Sequence, residues 1–595
     1  MGKRFVAAYV GIVLAAFLVM SFSFSDVKGV SIGDGQVQYY VNGVFTFNEA
    51  IVLQGNATLV VENATLEFIQ TKDYQYGIKL QGLDDRFPSL KVKNATLKSS
   101  KGVLISVDGS SSVVVEGLKF DGAGKSKGQI KLYGESYLRA VSSSIPYVYC
   151  YDSSRSELVA SNPNYLYVYE NATGVVDGCT IFSIKVYDNG LVNVSLSTVK
   201  SGIYAEDLAK VFVGTSSVTG EVFSRNNSTV SIFNSNVHQM KALTYNYGSV
   251  LFKNVTYSPH KYPEEVRAKD FSTAKLVGCK LSSFIFKVEG NATLSVEDSS
   301  ITSSTFYFYG DSVINFSRSY LDWLVEAHDQ SSINAVDSTF NILSLTGDSS
   351  LNASGCKVGW VRCYDFSKIL AEDSKFREVL VELSSINVTL HSFQEGYFDQ
   401  YNFVAGGLNA TFLRSSVDSG WSFRFSGFSN VSLYDSRLVN LYAGDQSILY
   451  LFNTSYVNLN VGGSAVVYVW SYLVVRVVDY FGSPVGGVNV TVLLPSPVTK
   501  FTGDDGRAVF LLSERFVNAS GDFPASRYDF VVVFGGSSKD YSVELAGSRV
   551  YTCSVASPWW YWYVVYGIVA IIVVLFGFGA FVFLRRRRVL KASRG

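Results

Sequence analysis

Carboxylates close together in sequence are the first residues to test for chemistry, because acid–base catalysis and metal binding both need them clustered. "LDDRF" (83–87) holds such a pair, Asp84 and Asp85, with Arg86 beside it. A polar loop turn has the same composition, and a turn is the expectation here. "GDDGR" (503–507) holds a second pair, Asp504 and Asp505. It lacks the alternating carboxylates of a calcium loop, so a hairpin turn is expected there too. The four histidines (His238, His260, His328, His391) are scattered, with none at metal-ligand spacing. No phosphate loop, nucleophile elbow or dinucleotide fingerprint occurs. The expectation is no catalytic residue, no metal and no cofactor.

Tyrosines are the other residues whose spacing stands out. "YVYCY" (147–151), "YLYVY" (165–169) and "SIKVY" (183–187) begin 18 residues apart. One phase of each run is aliphatic or cysteine and predicts a core-facing edge. The other phase admits Lys185 and Ser183 and must face out. Tyr147, Tyr149, Tyr151, Tyr165, Tyr167, Tyr169 and Tyr187 then form a plate, about 7 Å apart along a strand and about 5 Å apart between strands. Tyrosine offers apolar area with a polar tip, so the plate is a candidate surface for sugar rings or a partner. Cross-strand packing is the competing use of the same residues.

Such a plate needs strands stacked at a fixed interval, and the chain supplies one. Hydrophobic residues make up 48% of it, Pro numbers 10 and Met 3, and short alternating runs are punctuated by Gly, Ser, Asn and Asp. That is strand and turn chemistry. A column of small residues runs Ser143, Ser161, Cys179, Ser197, Ser216, Ser235, Cys279, Ser299, Ser319, Ser338, Cys356, Ser374, Ser415 and Ser436, mostly in steps of 18 to 20. Ahead of it lie apolar pairs such as Ile314 and Phe316, Ile333 and Ala335, and Leu351 and Ala353, with Asn315, Asn334 and Asn352 between. One half-buried strand per 18 to 20 residues, with no helix in register, is one coil of a solenoid.

The fold class expected is all-β: a right-handed parallel β-helix of about 20 coils over residues 26–471, then a small β-sandwich and a C-terminal transmembrane helix. The periodicity resembles the right-handed parallel β-helix superfamily, whose coils carry stacked Ser, Asn and aliphatic ladders. Many of its members cleave acidic polysaccharides, so the resemblance implies an extracellular lyase or glycoside hydrolase as the alternative function. Cys179, Cys279 and Cys356 stand several coils apart, too far for a disulfide, and are expected as buried free thiols with Cys150 and Cys363.

From Val475 the period changes. "VRVVDYFGSPVGGVNVTVLLP" (475–495) precedes "FTGDDGRAVFLL" (501–512). Val477, Asp479, Gly482, Pro484, Val485, Gly487, Asp504, Asp505, Gly506, Ala508 and Phe510 carry a resemblance to carboxypeptidase-regulatory-like and transthyretin-like β-sandwiches, assigned here to residues 472–552. That resemblance implies a spacer or adhesion element.

The ends address the chain to a membrane. "MGKR" and the apolar run to Phe24 predict a secretory signal or signal anchor over residues 1–25. Trp559 to Leu584 carries no charge, starts in "WWYWY" and ends at "RRRR" (585–588). A transmembrane helix over 559–584 with a basic cytoplasmic tail (585–595) follows, leaving the bulk outside. The formal net charge of zero gives no case for nucleic acid.

Seventeen positions fit Asn-x-Ser/Thr, against about five expected by chance. Asn56, Asn171, Asn193, Asn291, Asn315, Asn352, Asn387, Asn409, Asn430, Asn489 and Asn518 are the glycosylation candidates. Asn63, Asn94 and Asn254 instead fall in a turn column, where Asn tolerates left-handed backbone. The expectation is a cell-surface glycoprotein of archaeal character, structural or adhesive, binding envelope polysaccharide or another surface protein.

Overall fold

The computed structural model describes residues 26–27, 30–83, 85–122, 127–257, 264–372, 374–382, 386–391, 394–395, 401–406, 408–413, 421–493, 496–525, 527–555 and 559–592. The predicted signal segment, Asp84, His260 and Ser415 lie outside them. The chain is a β-solenoid of about 19 turns followed by a small β-sandwich and one apolar helix. It divides into two compact units at Asn387/Val388.

In the first unit the coils near the N-terminus carry three strands each. Ile51–Gln54 belongs to a first sheet, Thr58–Glu62 to a second and Thr65–Phe68 to a third. The third sheet has five strands and ends at Lys119–Asp121. Beyond it, several coils write the third and first faces on one continuous strand, while others, such as Lys280–Ser282 and Phe284–Gly290, keep a break between them. Thr180–Val186 is a continuous example, and its register against the next coil shifts between Ile181 and Ser183, where the strand turns the corner. All pairing between coils is parallel, as in Thr173–Asp177 against Leu191–Ser195. Inward residues of the two long sheets meet across the core: a Cβ added at Gly174 would come within 3.2 Å of the Leu166 side chain.

The column of small residues is a hydrogen-bonded ladder. Ser143 N–H donates to Ser161 Oγ at 3.0 Å, Cys179 N–H to Ser197 Oγ at 3.0 Å, and Ser319 N–H to Ser338 Oγ at 3.2 Å. The ladder satisfies backbone donors that the sharp turn leaves without a strand partner, and only a short polar side chain reaches them. Cys179, Cys279 and Cys356 occupy rungs, and all six cysteines are buried and free. The residue before each rung turns through left-handed backbone: Asn63, Asn94, Asn254, Asp298, Arg318 and Asp337 all have φ between +46° and +53°. Arg318 reaches back one coil to Asp298 with two hydrogen bonds (2.6 and 3.0 Å).

In the second unit, Asn430–Tyr434, Ile448–Phe452 and Val466–Val478 continue as parallel neighbours. Val466–Val478 is 13 residues long and serves two structures. Arg507–Asn518 runs antiparallel along one edge of it from Val466 to Arg476; on the other edge its first half closes a coil against Ile448–Phe452 and its second half lies parallel to Arg549–Ser554. The boundary expected near residue 471 is therefore a shared strand, with no linker. The facing sheet runs Val498–Phe501, Asn489–Leu493, Tyr528–Phe534, Ser537–Val543. Between the sheets lie Val475, Val477, Val490, Phe510, Phe530 and Cys553. Cys553 thus belongs to the sandwich core beside Tyr541, and burial pushes its thiol up to about 11.

The C-terminal helix, Trp559–Ala592, runs past the expected end at Leu584 and through the four arginines. Within its segment Tyr561–Arg588 the most apolar 18 residues have a mean hydropathy of 2.9, and the apolar side chains face away from the rest of the protein. At 1.5 Å per residue these 28 residues extend about 42 Å, enough to cross a bilayer with tilt.

Candidate functional site

The expected tyrosine plate forms on the outward face of the first sheet, in the first unit. Tyr147 pairs with Tyr165 and Tyr149 with Tyr167, while Val148, Cys150, Leu166 and Val168 are fully buried beneath them. Ring centroids lie 4.7 to 5.1 Å apart from coil to coil, with planes within 9° of parallel. Along each strand they lie 6.1 to 6.4 Å apart. Tyr133 adds an eighth ring below Tyr151, and Tyr187 closes the column above Tyr169 at 5.0 Å.

Parallel rings this close cannot lie side by side in one plane, because their edge hydrogens would collide. They overlap face to face, at the spacing the β-ladder imposes. Within each column the facing rings of successive coils cover one another, and the two ends of the Tyr149–Tyr167 column are capped by cations. Lys131 Nζ sits 5.4 Å from the Tyr149 centroid, and Lys185 Nζ 5.5 Å from that of Tyr167. What remains for solvent is ring edges and hydroxyls. Burial first, then the neighbouring phenols, raises the Tyr149 hydroxyl to about 12. Tyr151, Tyr167, Tyr169 and Tyr187 move in the same direction, with burial the leading cause. Ser183, expected on the open face, is buried and donates to the Gly202 carbonyl at 3.2 Å.

A carboxylate rail edges the slab. Asp152 accepts from Gly134 N–H (2.7 Å), Glu170 from Asp152 N–H (2.7 Å), and Asp188 from Glu170 N–H (3.2 Å). These acids close the turns between the first and second sheets, and that is chemistry enough to account for them.

Further along the same face lies a charged cluster that sequence reading missed. Glu265 is ringed by Arg267 at 3.2 Å, Lys287 at 3.6 Å and Lys241 at 3.7 Å, and Arg267 also reaches Glu289 at 3.5 Å. Beyond it Tyr309 stacks on His328 at 4.9 Å, and His328 meets Glu326 at 3.5 Å. Each of these carboxylates sits against a basic side chain, which suits a half-buried cross-strand network. Its one sequence signal is alternation of charge at outward positions one coil apart.

The acidic pairs lie elsewhere. Leu83 and Arg86 exchange backbone hydrogen bonds (2.9 and 3.0 Å), and Arg86 is paired to Asp34. Asp504 and Asp505 form a hairpin turn in which Gly506 takes φ +71° and Asp505 accepts from Arg507 N–H at 3.1 Å.

The sequons divide by sheet. Asn489 and Asn518 lie in the sandwich, and all fifteen others fall on second-sheet strands or the turns that flank them. Asn193, Asn315 and Asn352 hold the central outward position of such strands, and Asn387, Asn409 and Asn430 lie on others. Asn56, Asn171 and Asn291 are exposed in the turns that enter this sheet. None falls on a first-sheet strand. Side-chain roles differ as well. Asn94, Asn254 and Asn453 donate from Nδ2, the atom a glycan would take, whereas Asn171 and Asn315 accept through Oδ1.

No known family model matches the chain, and no characterised protein matches it in sequence. The β-helix and the sandwich therefore stand as folds, without a family attached.

Proposed function

We propose that this is a membrane-anchored cell-surface glycoprotein, the bulk of the chain outside and the basic tail cytoplasmic. Its second sheet carries the glycans, and its first sheet is kept bare to contact another envelope component. The observation that carries this reading is that the solenoid's fifteen sequons lie on the second sheet or its flanking turns, while the tyrosine slab lies on the first, whose strands bear none. A glycan is bulky and hydrated, so a sheet studded with them is closed to flat contact, and the sheet without them is open.

Ring stacking narrows what that sheet recognises. Sugar rings would need free aromatic faces, and in the slab most faces lie against the ring of the next coil, with Lys131 and Lys185 over the ends of the Tyr149–Tyr167 column. A flat array of edges and hydroxyls fits a partner that brings hydrogen bonds, such as a polymer lying across the coils or a second β surface. The role is adhesive or structural. The catalytic alternative, polysaccharide cleavage, would draw on the Glu265 cluster, where the cations are already spent on carboxylates.

Affinity electrophoresis of the detergent-solubilised protein through gels containing different envelope polysaccharides tests the reading. Retardation that is lost when Tyr147, Tyr149, Tyr165 and Tyr167 are changed to Ser is the expected result. Equal mobility of wild type and variant in every gel would return those tyrosines to packing alone.

A further inference from the structure

The sandwich has a feature that the display of a bare sheet does not use. In "DYFG" (479–482) two large aromatics stand side by side in a turn, and Tyr480 and Phe481 are 67% and 66% exposed. The turn is firmly built. Asp479 Oδ1 accepts from the N–H groups of Phe481 (2.8 Å) and Ser483 (2.9 Å), and Gly482 takes φ +84°. Tying the backbone inward in this way leaves both rings pointing out.

The position of this turn is set by strand pairing. Val477 and Val478 lie beside Cys553 and Ser554 in parallel, so the strand that enters the turn and the strand that leads to the helix exit the sandwich at the same end. The rings follow. Phe481 meets Tyr561 at 5.9 Å and Tyr480 meets Trp562 at 5.9 Å, both edge to face. Trp562 in turn contacts Tyr566 at 6.0 Å. One patch of aromatics is thus built from two separate pieces of chain, at the level where the apolar helix begins. Tyr and Trp favour the boundary between hydrocarbon and water, where the ring is buried and the polar tip stays wet.

We propose that the Tyr480–Phe481 turn is a second foothold, seated in the lipid headgroup region beside the helix. It holds the sandwich at a fixed attitude on the bilayer, where a helix alone would leave it free to swivel. This rests on the reading of the helix as a membrane anchor, and the test separates the two.

The full-length protein is placed in phosphatidylcholine vesicles with Ser483→Cys carrying a nitroxide label; the native thiols are buried and stay unlabelled. Flotation with the vesicles reports the anchor. Collision of the label with oxygen, which concentrates in lipid, is compared with collision with a water-soluble nickel chelate. The expected result is flotation, with position 483 favouring oxygen more than a Phe428→Cys label in the solenoid does. Adding Tyr480→Ser and Phe481→Ser should shift position 483 back to the water-exposed value while flotation persists. Flotation with position 483 as accessible to nickel as position 428 would overturn the foothold and leave the anchor standing. A protein that does not float would overturn both.

Discussion

At the scale of single residues, the structure is held by short polar side chains in places that tolerate little else. Ser319 Oγ accepts from Ser299 N–H at 3.3 Å and donates to the Ser317 carbonyl at 2.9 Å. Ser319→Ala leaves a buried donor without its partner and should cost about 1–3 kcal/mol. Ser319→Cys should cost less than about 1 kcal/mol, since cysteine already serves at three rungs of the same ladder. The midpoint of chemical denaturation checks both, and equal losses for Ala and Cys would contradict the ladder. The tyrosine slab makes a separate prediction. Tyr149 keeps its proton to about 12 in the fold, above its unfolded value of 10.0. Between those values the folded protein binds more protons than the unfolded one, so stability is full below pH 10 and falls as pH rises through the window. Ultraviolet titration should show tyrosines that ionise late in the native protein and at the ordinary pH after unfolding. One common step in both states would contradict the stacked, half-buried slab.

At the scale of strands and coils, much was legible in the sequence because the repeat is close to regular. The small-residue column, the aliphatic phase and the left-handed turn position each recur at nearly one interval, and all three occur where expected. A second buried serine column, Ser111, Ser136, Ser154, Ser312, Ser331, Ser349 and Ser367, went unread. Ala172, Gly190 and Ala209 stand in the same turn position and interrupt its pattern. The third sheet merging into the first was also hidden, since it depends on where a strand bends, and the bend has no residue signature of its own. The Glu265 cluster escaped for a different reason: most of its contacts join coils of unequal length, which blurs its alternation of charge. Ring orientation lay beyond sequence altogether, because a period of two fixes the face a tyrosine occupies but leaves its plane undetermined. The six cysteines give a test at this scale. Burial raises the Cys150 and Cys363 thiols to about 12. A thiol reagent at neutral pH should find none of the six in the native protein and all of them after denaturation. Rapid labelling of Cys150 or Cys363 in the folded chain would contradict the inward phase assigned to the first sheet.

At the scale of the whole molecule, the two long sheets have different work. Fifteen sequons lie on the second sheet's strands or the turns that flank them, while the first sheet's strands carry none and hold the tyrosine slab and the Glu265 cluster. Mapping of glycopeptides should show occupancy at Asn171, Asn193, Asn315 and Asn352, and little at Asn94, Asn254 and Asn453, whose Nδ2 atoms are already committed. Placing a new glycan on each sheet tests the central claim most directly. Tyr167→Asn with Tyr169→Thr creates a sequon on the slab, and Val114→Asn with Glu116→Thr creates one at an exposed position of the second sheet. Both proteins, made in a glycosylating host, are then measured for retention on envelope fragments of the source cells. The account predicts that the slab glycan abolishes retention and the second-sheet glycan leaves it unchanged. Retention that survives the slab glycan, or that is lost with the second-sheet glycan, would contradict it.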